Sequence, residues 1–380
     1  MFEEITAGIR RIFERPEGPI PLHAPWFDVA DERAVAACVH STFVSSVGAE
    51  ITAFEMELAA CTGAAHAVAV VNGTAALHTA LVLLNVGAND LVITQPFTFI
   101  ATCNAIAYTG AQPVFIDIDP DTLGLSPQAT QAWLEEHCEM RSGVCVHRLS
   151  GKRVGACIPM HSFGLPMRIA PLLELCNAWN IAVVEDAAEA LGSTSQGRHA
   201  GTFAPIGTLS FNGNKIVTSG GGGALLIRDE QMARAAKHLT TQAKVPHPWE
   251  FAHDRTGYNY RMPNLNAALA RTQLAKLDHN IRVKRSLHVA YQELFAGTPW
   301  PLMSEPEGTH SNYWLNAVLM RDRKERDAFL RACMDAGIQA RPAWELATDQ
   351  PMYRDALRGS LPHSMDIQAR SVNIPSSAKP

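Results

Sequence analysis

The chain has no block of like charge, no uninterrupted apolar run of membrane length and no clustered cysteines, and each absence removes a class of protein. Its 380 residues carry 32 Lys and Arg against 37 Asp and Glu, a net charge of −5. With no basic block, nucleic acid is not an expected partner. Eight cysteines are present, but no two form a CxxC pair. No Cys/His group has zinc-ligand spacing, so no metal site is expected. Most cysteines sit in apolar runs, such as Cys157 in ACIPM and Cys176 in LLELC, and read as reduced core residues of a reducing compartment. The opening MFEEITAGIRRIFERPEG alternates charge with apolar side chains and lacks the apolar stretch of a secretory signal. The longest charge-free stretch, Leu58 to Asn89, is interrupted by Asn72-Gly73-Thr74. That interruption makes it a strand, a turn and a helix rather than a membrane span. A cytoplasmic protein that does not engage the membrane is expected. Walker A and GxGxxG patterns are also missing, which argues against an NTPase or a Rossmann dehydrogenase.

What is present is ordinary globular material, 47% hydrophobic and 18% charged, in a chain too long for one simple core. Short β-rich runs alternate with helical patterns from about residue 50 to 240. Strands are expected at 67–71, 91–94, 114–118, 156–160, 181–184, 207–211 and 224–227. Helices are expected at 74–84, 100–109, 127–137 and 169–178. This alternation signals a mainly parallel seven-stranded sheet between helices, an α/β fold. From about residue 245 the texture changes to a polar, aromatic, Pro-containing loop, KVPHPWEFAHDRTGYNYRMPN. A long helix is expected over 265–295, a strand over 313–319 and a helix over 324–336. The expected division is a large domain over 1–245, with an N-terminal arm, and a smaller α+β domain over 246–380.

Four motifs carry chemistry. Lys215 sits in a short link between two expected strands, SFNGNKIVTSGGGG, ahead of four glycines that permit a close backbone turn. A lysine amine attacks a carbonyl once deprotonated, though in isolation Lys215 reads equally as a surface-loop residue. Asp186 ends the strand Ile181–Val184 together with Glu185, and ligands of parallel sheets gather at that end. It suits a pyridine nitrogen, though taken alone a helix cap is the commoner role for such an aspartate. In VNGTAA (71–76) a strand hands over to a helix. Free N–H groups and the helix dipole there make an anion site, to which Thr74 adds a hydroxyl. Phe99, in QPFTF, is placed to stack on a ring or to pack in the core. Phosphate site, acid, amine and aromatic together fit one cofactor, pyridoxal 5′-phosphate (PLP).

In this order the motifs resemble the DegT/DnrJ/EryC/StrS family of PLP-dependent sugar aminotransferases, which have the fold-type I, aspartate aminotransferase-like fold. The resemblance runs from about Ile20 to Ser377 through VVNGTAALH (70–78), FTFIAT (97–102), HSFGLP (161–166), VEDAAEALGS (184–193), SFNGNKIVTSGGGG (210–223) and GYNYRMPNLNAAL (257–269). FVSSVG, SFNGNK and AKVPHPWEF are most similar to the branch that serves legionaminic acid and related nonulosonic or bacillosamine-type sugars. The resemblance implies that Lys215 holds the cofactor as a Schiff base and that Asp186 pairs with the pyridine nitrogen. It implies that Thr74, Ala75 and Ser210 bind the phosphate and that Phe99 stacks on the ring. Asn259 would be lent to the phosphate by a neighbouring subunit, which makes the expected assembly a homodimer with a shared site. Glu189 stands where many relatives carry Gln or His near the cofactor's phenolic oxygen. Leu165 and Arg168 also depart from the common GHPxD-like pattern. Candidate substrate contacts are Ser46, Gly48, His161, Trp26 and Tyr313, though packing is the readier role for each aromatic.

The implied reaction moves an amino group from L-glutamate to C4 of a nucleotide-linked 4-keto-6-deoxy sugar. UDP-2-acetamido-4-keto-2,6-dideoxy-hexose is the first substrate, in biosynthesis of a surface-glycan sugar. Two alternatives stand beside it. One is an aminotransferase for another keto sugar or a cyclitol, for example GDP-4-keto-6-deoxymannose. The other is a non-catalytic PLP-binding regulator, which would need an effector domain that the sequence does not display.

Overall fold

The computed structural model describes residues 1–378. Its helices are α1 (Phe2–Ile12), α2 (Val29–His40), α3 (Ala49–Thr62), α4 (Gly73–Leu83), α5 (Ala101–Tyr108), α6 (Pro127–His137), α7 (Ile169–Ala178), α8 (Glu230–Thr240), α9 (Asn264–Leu274), α10 (Leu277–Phe295), α11 (Arg323–Asp335) and α12 (Pro362–Arg370). The strands used below are β1 (His66–Val70), β2 (Asp90–Thr94), β3 (Gln112–Phe115), β4 (Cys138–Arg141), β5 (Val144–His147), β6 (Arg153–Ile158), β7 (Ala182–Asp186), β8 (Ile206–Ser210), β9 (Gly223–Ile227), β10 (Asn316–Leu319), β11 (Arg341–Pro342), β12 (Leu357–Arg358) and β13 (Ser371–Ile374).

Local chemistry sets many helix starts. Asp28 and Asp31 form a reciprocal capping box on α2. Asn72 caps α4, Ser126 caps α6 ahead of Pro127, and Asp229 and Asp322 cap α8 and α11. The main sheet runs β1-β9-β8-β7-β6-β2-β3-β12, with a β4–β5 hairpin attached to β6. The seven expected strands are its centre. All are parallel except β9, which is antiparallel to both β1 and β8. The sheet has a core on each face, and its inner strands are apolar almost throughout, as a doubly covered sheet requires. One core joins α3 and α9 around Phe54, Leu58, Leu209 and Phe211. The other joins α4, α5 and α8 around Leu77, Leu81, Ile106 and Val184.

A three-stranded sheet, β10-β13-β11, carries the C-terminal part. Packing crosses residue 245 in both directions. α1 packs on α10 and α11, in a core with Ile5, Ile9, Tyr291 and Phe329, while α9 packs on α2 and α3.

Two expectations are corrected. The helix expected over 265–295 is two helices, broken at Ala275 and Lys276. Lys276 Nζ is held there by Asp28 at 3.0 Å and by Asp31. The strand expected over 313–319 starts only at Asn316. Tyr313 has a φ of +43°, outside any strand geometry. Among the described residues, no helix is long and apolar enough to cross a membrane, and no group of three His, Cys, Asp or Glu is arranged to hold a metal ion.

Candidate active site

The C-terminal ends of the parallel strands meet at one edge of the sheet, beside a cavity of about 370 Å³. Six residues singled out in the sequence line it: Thr74, Phe99, Asp186, Glu189, Ser210 and Lys215. Chain topology explains the gathering. β1, β7 and β8 run the same way, so Asn72–Thr74, Asp186 and Ser210 fall at neighbouring strand ends.

The lysine loop is a closed excursion from the sheet. It leaves at Ser210 and returns at Gly223, which face each other in the β8–β9 register. Phe211 N–H donates to Gly222 O at 2.8 Å, and Ser219 N–H donates to Phe211 O at 2.9 Å. Phe211 is fully buried, edge-on to Phe54 at 5.2 Å. Burying such a ring stabilises by about 1.5–3 kcal/mol, so the loop is anchored four residues before its lysine. Gly223 is needed for a close approach: a Cβ there would lie 2.4 Å from the Asn72 carbonyl carbon.

Asp186 is 2% exposed. Its Oδ2 accepts from Thr102 Oγ1 at 2.7 Å and its Oδ1 from Ala188 N–H at 3.1 Å. Burial pushes its carboxyl above the usual carboxylate range, and the hydrogen bonds from Thr102 and Ala188, together with the charge of nearby Lys215, offset this only in part. The carboxylate therefore favours a cation placed against it. Glu189 is 3% exposed and lies 3.1 Å from Lys215 Nζ. Its carboxyl is also raised by burial, with Lys215 acting the other way. Lys215 Nζ stands 3.8 Å from the centre of the Trp314 ring. Trp314 and Trp344 close the cavity from the C-terminal part. The sequence reading missed both, because aromatic residues in loops carry no local signal that distinguishes a wall from a core.

The anion site is also built, with one change. First-turn N–H groups have no intrahelical acceptor. That of Ala75 is taken by Asn72 Oδ1 at 2.8 Å, and Ala75 is buried away from the cavity. Of the expected phosphate-site residues, Thr74 and Ser210 line the cavity, together with Gly73, and Ala75 does not. An amine, a buried carboxylate lacking a contacting cation, a helix N-terminus and flanking rings fit a phosphorylated pyridine aldehyde.

Other candidates lie elsewhere. His161 is 1% exposed beneath the cavity and is a packing residue. Its Nδ1 accepts from Met167 N–H at 3.2 Å, which leaves Nε2–H to donate to Glu185 Oε2 at 3.1 Å. Tyr313 is buried, stacked on His288 at 3.7 Å. Trp26 donates to Asn280 Oδ1 at 2.9 Å. Gly48 abuts the Asn264 side chain, where a Cβ would come within 2.1 Å. Neither they nor His161 line the cavity, because each is fastened to a different neighbour. Ser46 and Asn259 line a separate groove of about 660 Å³ with Lys244, His247 and Arg261.

These parts define a class, the PLP-dependent aminotransferases of fold type I. Comparison with known proteins gives the family. Residues 27–379 match the DegT/DnrJ/EryC1/StrS aminotransferase family, and the chain belongs to it. It is 34% identical over 339 residues to EpsN of Bacillus subtilis (strain 168), named as a pyridoxal phosphate-dependent aminotransferase, covering 89% of this chain and 84% of the relative. It is 33% identical over 360 residues to the GDP-perosamine synthase of Vibrio cholerae, covering 94% of each. The crystal structure of the aminotransferase TlmJ from Streptoalloteichus hindustanus superposes with a TM-score of 0.85 at 28% identity, covering 94% of each chain.

Proposed function

We propose that this enzyme transfers an amino group from L-glutamate to C4 of a nucleotide-linked 4-keto-6-deoxy sugar, as a cytoplasmic homodimer with shared sites. The observation that carries the reading is the meeting of Lys215, Asp186 and the Thr74–Ser210 anion site in one cavity. PLP, when bound, supplies an electron-accepting ring that stabilises the carbanion formed next to the donor nitrogen. The chain's own residues do the rest. Asp186 holds a positive charge at the ring nitrogen. Gly73, Thr74 and Ser210 hold the phosphate, and Phe99 covers one face. Lys215 Nζ would hold the aldehyde carbon, and its free amine would serve as the base and then the acid for the proton moved. Trp314 and Trp344 shield that proton from water. In this reading residues 1–245 form the cofactor domain and 246–380 the smaller one that supplies the tryptophans. Asn259 reaches the phosphate of the neighbouring subunit from the rim of the larger groove.

For the sugar, the FVSSVG, SFNGNK and AKVPHPWEF segments favour UDP-2-acetamido-4-keto-2,6-dideoxy-hexose, in a pathway to a nonulosonic or bacillosamine-type sugar. A second reading, a GDP-linked 4-keto-6-deoxy sugar, is favoured by the 31–33% identity to three GDP-perosamine synthases over 94% of the chain. The experiment loads the protein with PLP, adds L-glutamate, and follows the absorbance band near ~420 nm. UDP- and GDP-linked 4-keto sugars are then supplied separately and the products weighed. Loss of the band followed by a one-amine mass change on one sugar is expected. A bound cofactor that no amino donor converts would sink the transferase reading in favour of a regulator.

A further inference from the structure

Lys215 does not face the cavity alone. Its Nζ is 3.1 Å from Glu189 Oε1. The other oxygen, Oε2, accepts from Phe163 N–H at 2.9 Å, and the Glu189 carbonyl accepts from Asn312 Nδ2 at 2.9 Å. Phe163 has a φ of +58° and is fully buried. A phenylalanine in that left-handed region costs about 1–3 kcal/mol. The turn at 162–164 thus holds an unfavourable backbone geometry whose product is an N–H aimed at this carboxyl. Simple charge neutralisation needs none of that, and burying an ion pair costs several kcal/mol per ion in desolvation. A carboxyl and an amine in contact at low polarity have a second, uncharged arrangement, reached by moving one proton along the 3.1 Å line between nitrogen and oxygen. The charged groups facing Glu189 are Lys215, from the loop after β8, and Asp186, from the end of β7. Burial and Asp186 push its carboxyl up, while Lys215 and the Phe163 N–H act the other way.

We propose that Glu189 is a catalytic residue that takes the proton of the Lys215 ammonium and returns it, so that the lysine is available as a free base whenever it is not holding the aldehyde carbon. The inference rests on the transaminase reading above. In the step, one N–H bond on Nζ breaks and its electron pair stays on nitrogen. One O–H bond forms on Oε1, and nothing is oxidised or reduced. The freed amine then accepts the proton from the carbon that bears the donor's nitrogen.

The test uses the PLP-loaded enzyme and Glu189→Gln, which keeps the shape and an acceptor for Phe163 N–H but cannot take a proton. At saturating L-glutamate the variant is expected to convert its absorbance band roughly 100-fold more slowly. Its half-saturating glutamate concentration should be unchanged, and the acid limb of the wild-type pH profile should be absent. Glu189→Asp, which retains a carboxyl on a shorter stem, is expected to fall between the two and to keep that limb. A readout independent of turnover is the infrared carboxylic-acid band of the cofactor-free protein. The wild type should show a carboxylic-acid band that titrates above the usual carboxylate range and is missing from Glu189→Gln, apart from any band of the likewise raised Asp186. Equal rates and pH profiles in wild type and Glu189→Gln, or no such titrating band in the wild type, would overturn the proposal. If the wild type itself is not converted by glutamate, the donor assignment fails instead, and the infrared result alone decides the role of Glu189.

Discussion

The cofactor cavity and the groove around Asn259 are both lined with polar side chains, but they hold them in opposite ways. In the cavity, Asp186 is fixed by Thr102 and Ala188, and Glu189 by Phe163 and Lys215. In the groove, Arg261 Nε is buried with no partner among the described residues. Nearby on the same segment, Trp249 and Phe251 are 77% and 81% exposed. One site is organised by its own chain. The other leaves Arg261 Nε without a partner among the described residues, on a segment that also exposes Trp249 and Phe251. The difference supports reading Asn259 as a residue that works in a neighbour's site.

The largest effect expected is on the cavity side. Lys215→Ala should lower transamination by roughly 10²–10⁴-fold or more, measured as product by mass. Retained turnover would mean that another amine carries the chemistry. Asp186→Asn comes next, with a fall of about 10²–10³-fold from loss of the charge at the ring nitrogen. The same change should act oppositely on the cofactor-free protein. The Asp186 carboxyl is raised above its unfolded value, so its contribution favours folding below the unfolded value. That contribution is lost as pH rises through the folded value. Above that range Asp186→Asn should unfold at a higher temperature than wild type, by a few degrees at most, on the order expected for about 1 kcal/mol in a chain of this size. A lower melting temperature there would show that the carboxylate is not strained.

The groove is tested by mixing chains. Lys215→Ala and Asn259→Ala subunits, each inactive or weak alone, should recover about a quarter of wild-type activity when refolded together, since a two-fold dimer then holds one intact composite site in half the molecules. No recovery would place Asn259 in its own chain's site and erase the contrast. The smallest effect is expected at Tyr313→Phe. Tyr313 OH accepts from Glu305 N–H at 3.2 Å, away from the cavity. Losing that bond should cost about 0.5–1.5 kcal/mol of stability and leave the substrate KM within about twofold.

Much of the cavity was legible because its parts are local. The strand ending at Asp186, the turn at Asn72–Thr74 and the glycines after Lys215 each announce themselves within a few residues. What escaped depends on distant contacts. The break between α9 and α10 carries neither Gly nor Pro, and is fixed by Asp28 and Asp31 acting on Lys276 from some 245 residues earlier. Tyr313 leaves strand geometry because Asn312 is held by Glu189 O and Leu191 O. The Ala75 N–H is taken by Asn72 through one side-chain hydrogen bond. Trp314 enters the cavity because its indole N–H reaches Asn214 O at 2.7 Å, across about a hundred residues of sequence.

The reversed strand β9 has a consequence for inheritance. Gly223 touches no substrate, yet one added methyl group would press on the Asn72 carbonyl and with it on the start of α4. A gene encoding Gly223→Ala would retain every reactive group and still fail by shape.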